Sequence, residues 1–218
     1  MTMDMKTFSC MDCKLTTCSS NSGFQGETWP DFCLTKNTED EKYKEWLGLY
    51  EEGRNQEIMK AAADVEFEGY CQWPRALEIV EFAKRIGAKK IGIASCVGLA
   101  HEAQLFTKIL RSHGFEVYGA FCKVGATLKT EVGIDEKCFA VGETMCNPIV
   151  QAQLLNEAKT DLNVVMGLCV GHDSLFYKYS EAITTTLITK DRVTGHNPAA
   201  ALYTLNSYYK KLLGEETK

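Results

Sequence analysis

Ten cysteines stand in this chain of 218 residues. Four of them, Cys10, Cys13, Cys18 and Cys33, follow the spacing C-x2-C-x4-C-x14-C through a stretch rich in Ser, Thr, Gly and Asn. Two thiolates two residues apart can reach one metal from a single tight turn. Two more complete fourfold thiolate coordination, as in a zinc site or an iron–sulfur cluster. A segment so polar cannot order itself by apolar burial, so a shared metal explains the set better than free thiols. The spacing matches neither the two close pairs of a zinc ribbon nor the ferredoxin runs. An iron–sulfur cluster, of 4Fe-4S type, is the first expectation for these ligands, with zinc as the alternative.

A second set is remote in sequence but equivalent in position. Cys96 follows the apolar run KIGIAS, Cys122 follows EVYGAF and Cys169 follows LNVVMGL, while Cys146 precedes the helix start NPIVQAQ. Ligands of open parallel sheets bind beyond the carboxyl ends of strands. Cysteines delivered to that edge can converge on one centre, either a second cluster or a cofactor site. The competing explanation is that each is a small buried hydrophobe. Cys71 is within sequence reach of the same edge, and Cys138 fits neither set.

Polar groups surround these cysteines. Residues 164–198 carry His172, Asp173, Lys190, Asp191, Arg192 and His196 in two loops that would open at one end of the sheet. His172, on the loop of Cys169, is the candidate acid, base or ligand. Lys123, beside Cys122, would manage protons or substrate charge. Cys146, just outside a helix start, is a candidate nucleophile. Asp173 reads as a helix cap, and Lys190, Asp191 and Arg192 read equally as a solvated turn. His101 sits in a first helical turn near Ser95 and Cys96. His113 reads as a partner of a helix C-terminus.

The elements that position these residues alternate. Helices are expected over 38–70, with Thr38 as cap and a second start at Asn55. From Trp73 onward a helix over Pro74–Ile86 precedes a strand over Lys90–Ser95. A helix over Leu99–His113, ended by Gly114, leads to a strand over Glu116–Phe121. Residues 122–146 read as a long loop with one short element. Then come a helix over Pro148–Ala158, a strand over Leu162–Leu168, a helix over Asp173–Tyr179, a strand over Ile183–Ile188 and a closing helix over Pro198–Leu213. Pro74, Pro148 and Pro198 suit first helical positions, and Asn147 and Asn197 suit N-caps. Such alternation implies right-handed crossovers and a parallel sheet.

The formal net charge of −5 argues against nucleic-acid binding, which needs a basic surface. No apolar run reaches the roughly 18–20 residues that span a bilayer. The opening MTMDMKTFSC lacks a basic region followed by an apolar one. A cytoplasmic protein is expected, in which thiols stay reduced and serve metals or redox chemistry. No glycine-rich dinucleotide fingerprint follows a strand.

The segments PRALEIVEFAKRIGAKKIGIASCVGLAHEA, GFEVYGAFCKVG, CNPIVQAQLLN, TDLNVVMGLCVGHDSLF and TTTLITKDRVTGHNPAAALY closely resemble the family catalogued as domain of unknown function 1847. The N-terminal cysteine set resembles that family's opening motif, although Leu34 follows Cys33 where the family typically has proline. The resemblance implies a metal-binding protein without an established reaction.

The expectation is therefore an α/β protein with an open parallel sheet of about four strands flanked by helices. A Cys-rich, metal-organised segment over 1–40 precedes an α/β domain over 41–218. The expected function is that of an iron–sulfur protein with redox or sulfur-handling chemistry. Its site would be lined by Cys96, Cys122, Cys146 and Cys169, with Cys146, His172 and Lys123 as the chemical groups. The partners would be a small-molecule substrate or a redox protein. A zinc-stabilised binding or sensing module and a cysteine-nucleophile transferase are the alternatives.

Overall fold

A computed structural model describes residues 9–15, 17–19 and 29–214. Most of the opening decapeptide lies outside them. The chain divides into two compact units, Met1–Lys60 and Ala61–Lys218, so the expected boundary at residue 40 lies within the first unit.

In the first unit, short 3₁₀ turns over Cys10–Asp12 and Thr17–Ser19 precede the helices α1 (Leu34–Asn37) and α2 (Asp40–Gly48). Ser9 caps the first turn by accepting from the Met11 amide at 3.1 Å. Helix α3 (Asn55–Gly69) begins here and continues into the second unit, where Ala61 and Val65 are buried.

The second unit holds a sheet of four parallel strands in the order β2-β1-β3-β4, with β1 Lys90–Ser95, β2 Glu116–Phe121, β3 Leu162–Met166 and β4 Ile183–Ile188. Helix α4 (Arg75–Arg85) leads into β1. Helix α5 (Ala100–Ser112) joins β1 to β2, α6 (Pro148–Glu157) returns to β3, and α7 (His172–Tyr179) leads to β4. The β1–β2 and β2–β3 crossovers run in opposite directions across the sheet. Right-handed connections therefore put α5 on one face and α6 with α7 on the other. β1 and β3 are central, and buried at every position from Ile91 to Ser95 and from Leu162 to Met166. They read as continuous apolar runs because both faces are covered.

Three strands occupy the expected residues. β3 stops two residues early, at Met166, because Gly167 takes a φ of +67°. The closing helix is corrected most. It runs only over α8 (Ala199–Tyr203), and a separate 3₁₀ turn covers Lys210–Leu213. The apolar stripe expected over Ala201, Leu205, Tyr208 and Leu212 does not hold together, with Tyr208 86% exposed and Leu212 57%. Thr204 ends the helix by returning its hydroxyl to the Ala200 carbonyl at 2.8 Å. Pro148 takes the expected first helical position, whereas Pro74 and Pro198 stand one place earlier as N-caps. Asn147 makes no side-chain capping bond, and Asn197 precedes the cap.

No helix among the described residues is long and apolar enough to cross a membrane.

Candidate functional site

The β1 and β3 connections leave in opposite directions, so the crevice of this sheet lies between the carboxyl ends of those strands. Cys96 stands one residue past β1 and Cys122 one past β2, both buried. Side chains alternate along a strand, so Ala94 with Cys96, and Ala120 with Cys122, point to the face that α6 covers. There the two cysteines join an apolar cluster with Ala152, Leu155, Val165, Leu168 and Phe176, against which Cys146 packs.

Main-chain bonds bring these cysteines together. The Cys96 amide donates to the Met166 carbonyl at 3.0 Å, the Cys122 amide to Ser95 at 2.8 Å, and the Asn147 amide to Cys122 at 2.7 Å. The long loop between Cys122 and Cys146 folds back through an antiparallel bridge between Leu128 and Thr144. The Lys123 ammonium fastens it by donating to the Thr144 carbonyl at 2.6 Å. The loop carries two 3₁₀ elements, Lys129–Val132 and Glu136–Val141, where one short element was expected.

The sequence did not single out Gln151. This fully buried side chain on α6 donates through Nε2 to the carbonyls of Ala120 at 2.7 Å and Ser95 at 3.2 Å. It ties together the strand ends that carry Cys96 and Cys122. Its Oε1 has no donor among the described residues. A glutamine at a core position of an otherwise apolar helix face was the available signal.

The three sulfurs form a chain with Cys122 in the middle. Its thiol is pushed well above the usual range, first by Cys146 and then by Cys96, so it keeps its proton. Cys96 is lowered to about 5, first by the Cys122 thiol, then by the Gly98 amide and Lys190, against the opposing effect of burial. Cys146 is lowered to about 4, first by the Cys122 thiol, then by His172 and the charge of Lys123. One S–H donates one hydrogen bond at a time, so these further partners must hold whichever thiolate the proton does not serve. His172 is raised in turn, chiefly by Cys146. The Val97 amide also reaches Cys122 Sγ at 3.4 Å.

Cys169 is held differently. Its Sγ accepts from Arg192 Nη2 at 3.1 Å, and its carbonyl accepts from the amides of His172 and Asp173, starting α7. The Asp173 carboxylate accepts from the Ser174 amide at 2.8 Å, consistent with a local helix-start role. Lys190 and Arg192, read as a turn that could be merely solvated, both reach sulfur.

Other candidates stay apart. Cys71, at a φ of +55°, is exposed and lines a different cavity, of about 500 Å³, with Tyr70, Arg75 and Phe82. His101 and His113 are exposed on α5 and at its end. His196 accepts the Asp191 amide on Nδ1 at 3.1 Å and lines a cavity of about 520 Å³ with Leu99 and Glu102. In the first unit Cys10, Cys13, Cys18 and Cys33 line a single small cavity of about 90 Å³ with Trp29 and Phe32. Among the described residues, however, no group of three or more His, Cys, Asp or Glu side chains is already gathered as a metal site.

The sheet and its carboxyl edge define an α/β protein with a cysteine-lined crevice. The chain belongs to the family described as "Protein of unknown function (DUF1847)", whose sequence model matches residues 33–187. That span includes Cys33 and all four sheet-edge cysteines, and stops before Lys190 and Arg192. The uncharacterised protein MJ0455 of Methanocaldococcus jannaschii is 49% identical over 171 residues, covering 75% of this chain and 84% of that protein. Among solved structures, Dph2 from Pyrococcus horikoshii with a 4Fe-4S cluster is similar at 21% identity and a TM-score of 0.35, over 64% of this chain and 33% of that one. A second Dph2 structure from that organism gives 18% identity and a TM-score of 0.36, over 65% and 32%. The chain thus spans about a third of the length of those structures.

Proposed function

We propose that the sheet edge holds an iron–sulfur cluster through Cys96, Cys122 and Cys146, with Cys169 beside them. The protein would then carry out redox or sulfur-handling chemistry on a small molecule or with a redox partner. The observation that carries this reading is that Cys96 and Cys122 are buried in one apolar cluster, with Cys146 packed against them. A proton is the smallest cation that keeps such neighbours together, and a metal can replace it, because a coordinating thiol loses its proton outright. The donor set is soft sulfur from three separate chain segments, which suits iron–sulfur or zinc. The apolar cluster beneath it limits water, and the cations around it offset thiolate charge. A bound cluster would supply electron transfer or a Lewis-acidic iron. His172 would hold a proton beside Cys146, and Lys123 would fix the loop that presents that cysteine.

In the first unit we assign Cys10, Cys13, Cys18 and Cys33 to a separate cluster or zinc ion. All four border one cavity, and a metal would supply the ordering that the polar sequence lacks.

The test is anaerobic purification with iron, sulfide and zinc analysis and a visible spectrum, on the wild type, Cys13→Ser and Cys122→Ser. Each variant should lose a different part of the metal. Unchanged metal and spectrum in Cys122→Ser would sink the sheet-edge assignment. The contact between Cys146 and His172 favours one second reading, a cysteine-nucleophile transferase. That reading gains if the edge carries no metal and Cys146 alone takes up an electrophile at neutral pH.

A further inference from the structure

We infer that Lys190 and Arg192 recognise the negative charge of a small substrate, a carboxylate or a tetrahedral oxyanion, beside Cys96 and Cys169. The inference rests on reading this edge as the reactive centre, but it concerns different residues and has its own readout.

Both cations come from the loop after β4 and turn back toward the crevice. Arg192 Nη2 reaches Cys169 Sγ, and Lys190 Nζ and Cys96 Sγ flank the same open side of Gly98. Other basic side chains have partners of their own: Lys36 pairs with Asp31, Arg54 with Glu57, Arg75 with Glu78, Lys84 with Glu81, Arg85 with Glu68 and Glu81, and Lys90 with Glu116, while Lys123 donates to a carbonyl. Among the described residues, Lys190 and Arg192 have no carboxylate partner. An unpaired lysine on open surface is ordinary; two cations aimed at one crevice of an acidic protein make a local positive field.

The carboxylate between them does not cancel that field by pairing. Asp191 accepts the amides of Val193 at 2.9 Å and Thr194 at 3.0 Å. It shapes the turn and leaves its two neighbours to face the sulfurs. Arg192 has five N–H donors and gives one to Cys169, so its planar fork keeps donors for an anion.

Gly98 shows where such an anion would sit. A Cβ added there would stand 3.7 Å from Cys96 Sγ and 3.8 Å from Lys190 Nζ, in ordinary contact and without a clash. Its φ is not in the left-handed region, so the backbone does not require glycine. Its missing side chain leaves space between a sulfur and an ammonium. An alanine methyl would occupy that space in ordinary contact.

The experiment uses the full chain as purified anaerobically. Sodium sulfate and sodium acetate are each titrated calorimetrically at constant ionic strength, and iron and sulfide are assayed on the same samples. The wild type should bind at least one anion, and which one binds separates oxyanion from carboxylate. Lys190→Gln and Arg192→Gln should each weaken that binding by about three- to five-fold, the scale of one partly exposed charge pair. Gly98→Ala should also weaken it, because its methyl takes the space between Cys96 Sγ and Lys190 Nζ, and all three should keep the wild-type metal content. The proposal is overturned if the wild type binds neither anion, or if the variants bind like the wild type. It is also overturned if binding and metal fall together, because the cations then serve only the metal centre. Anion binding that the variants weaken in a protein without edge metal would keep this inference and defeat the cluster assignment.

Discussion

The two cysteine sets reach proximity by opposite routes. Cys10, Cys13, Cys18 and Cys33 are close in sequence and border one small cavity. Cys96, Cys122 and Cys146 are far apart in sequence, yet they meet on one packed core. On the reading proposed above, the first region supplies metal ligands, and the metal would supply the order. In the second the sheet supplies the order whether or not anything binds. A metal would therefore be a folding partner in the first region and a guest in the second.

Metal removal should break this symmetry most visibly. Structural zinc contributes about 10–16 kcal/mol to folding of small sites. Treatment with a strong chelator, or Cys13→Ser, should expose residues 1–40 to limited proteolysis while the unit from Ala61 onward resists. Equal resistance of both regions after metal loss would remove the contrast.

Gln151→Leu tests whether order at the sheet edge comes from the fold. It strips two carbonyls of a buried donor and places a branched chain where a linear one fits. The Ser95 carbonyl keeps the Cys122 amide, so a loss of about 1–3 kcal/mol is expected from the lost Ala120 contact and the repacking, read by urea denaturation. A change below about 0.5 kcal/mol would show that the strand ends need no such tie.

The smallest effect is local and electrostatic. Cys146 is depressed to about 4, so in metal-free protein it is a thiolate above that pH and gains its proton as pH falls through it. Its alkylation by iodoacetamide should stay nearly level from pH 8 to pH 5 and drop below about 4, whereas a model thiol of about 8.5 loses rate throughout. His172→Gln removes the imidazole that supports the Cys146 thiolate and should shift the drop upward by about one pH unit. A profile rising only near pH 8.5 would mean that Cys146 is an ordinary thiol.

Much of the fold was legible because strands and helices have periods. β1, β2 and β4 occupy the residues that their apolar runs suggest, and the cysteines one step beyond follow from the parallel order. The same alternation places Ala94 and Cys96 on one face. What was hidden has no period. Arg192 reaches Cys169 from 23 residues away, Gln151 reaches carbonyls 31 and 56 residues away, and no spacing rule connects them. The closing helix misled because its apolar stripe is real but exposed at Tyr208 and Leu212, and a stripe without a packing surface does not hold a helix.

The folded-back loop between Cys122 and Cys146 also sets an order of events. Cys96 and Cys122 are joined by one helix crossover, whereas Cys146 arrives only after the loop has closed through Leu128 and Thr144. Closing a flexible segment costs entropy before its contacts return any stability. Refolding is therefore expected to protect Cys96 and Cys122 together and Cys146 later, with the bridge acting as a latch. Pulsed alkylation during refolding reads this directly. Simultaneous protection of all three thiols would show that the loop closes as fast as the sheet forms.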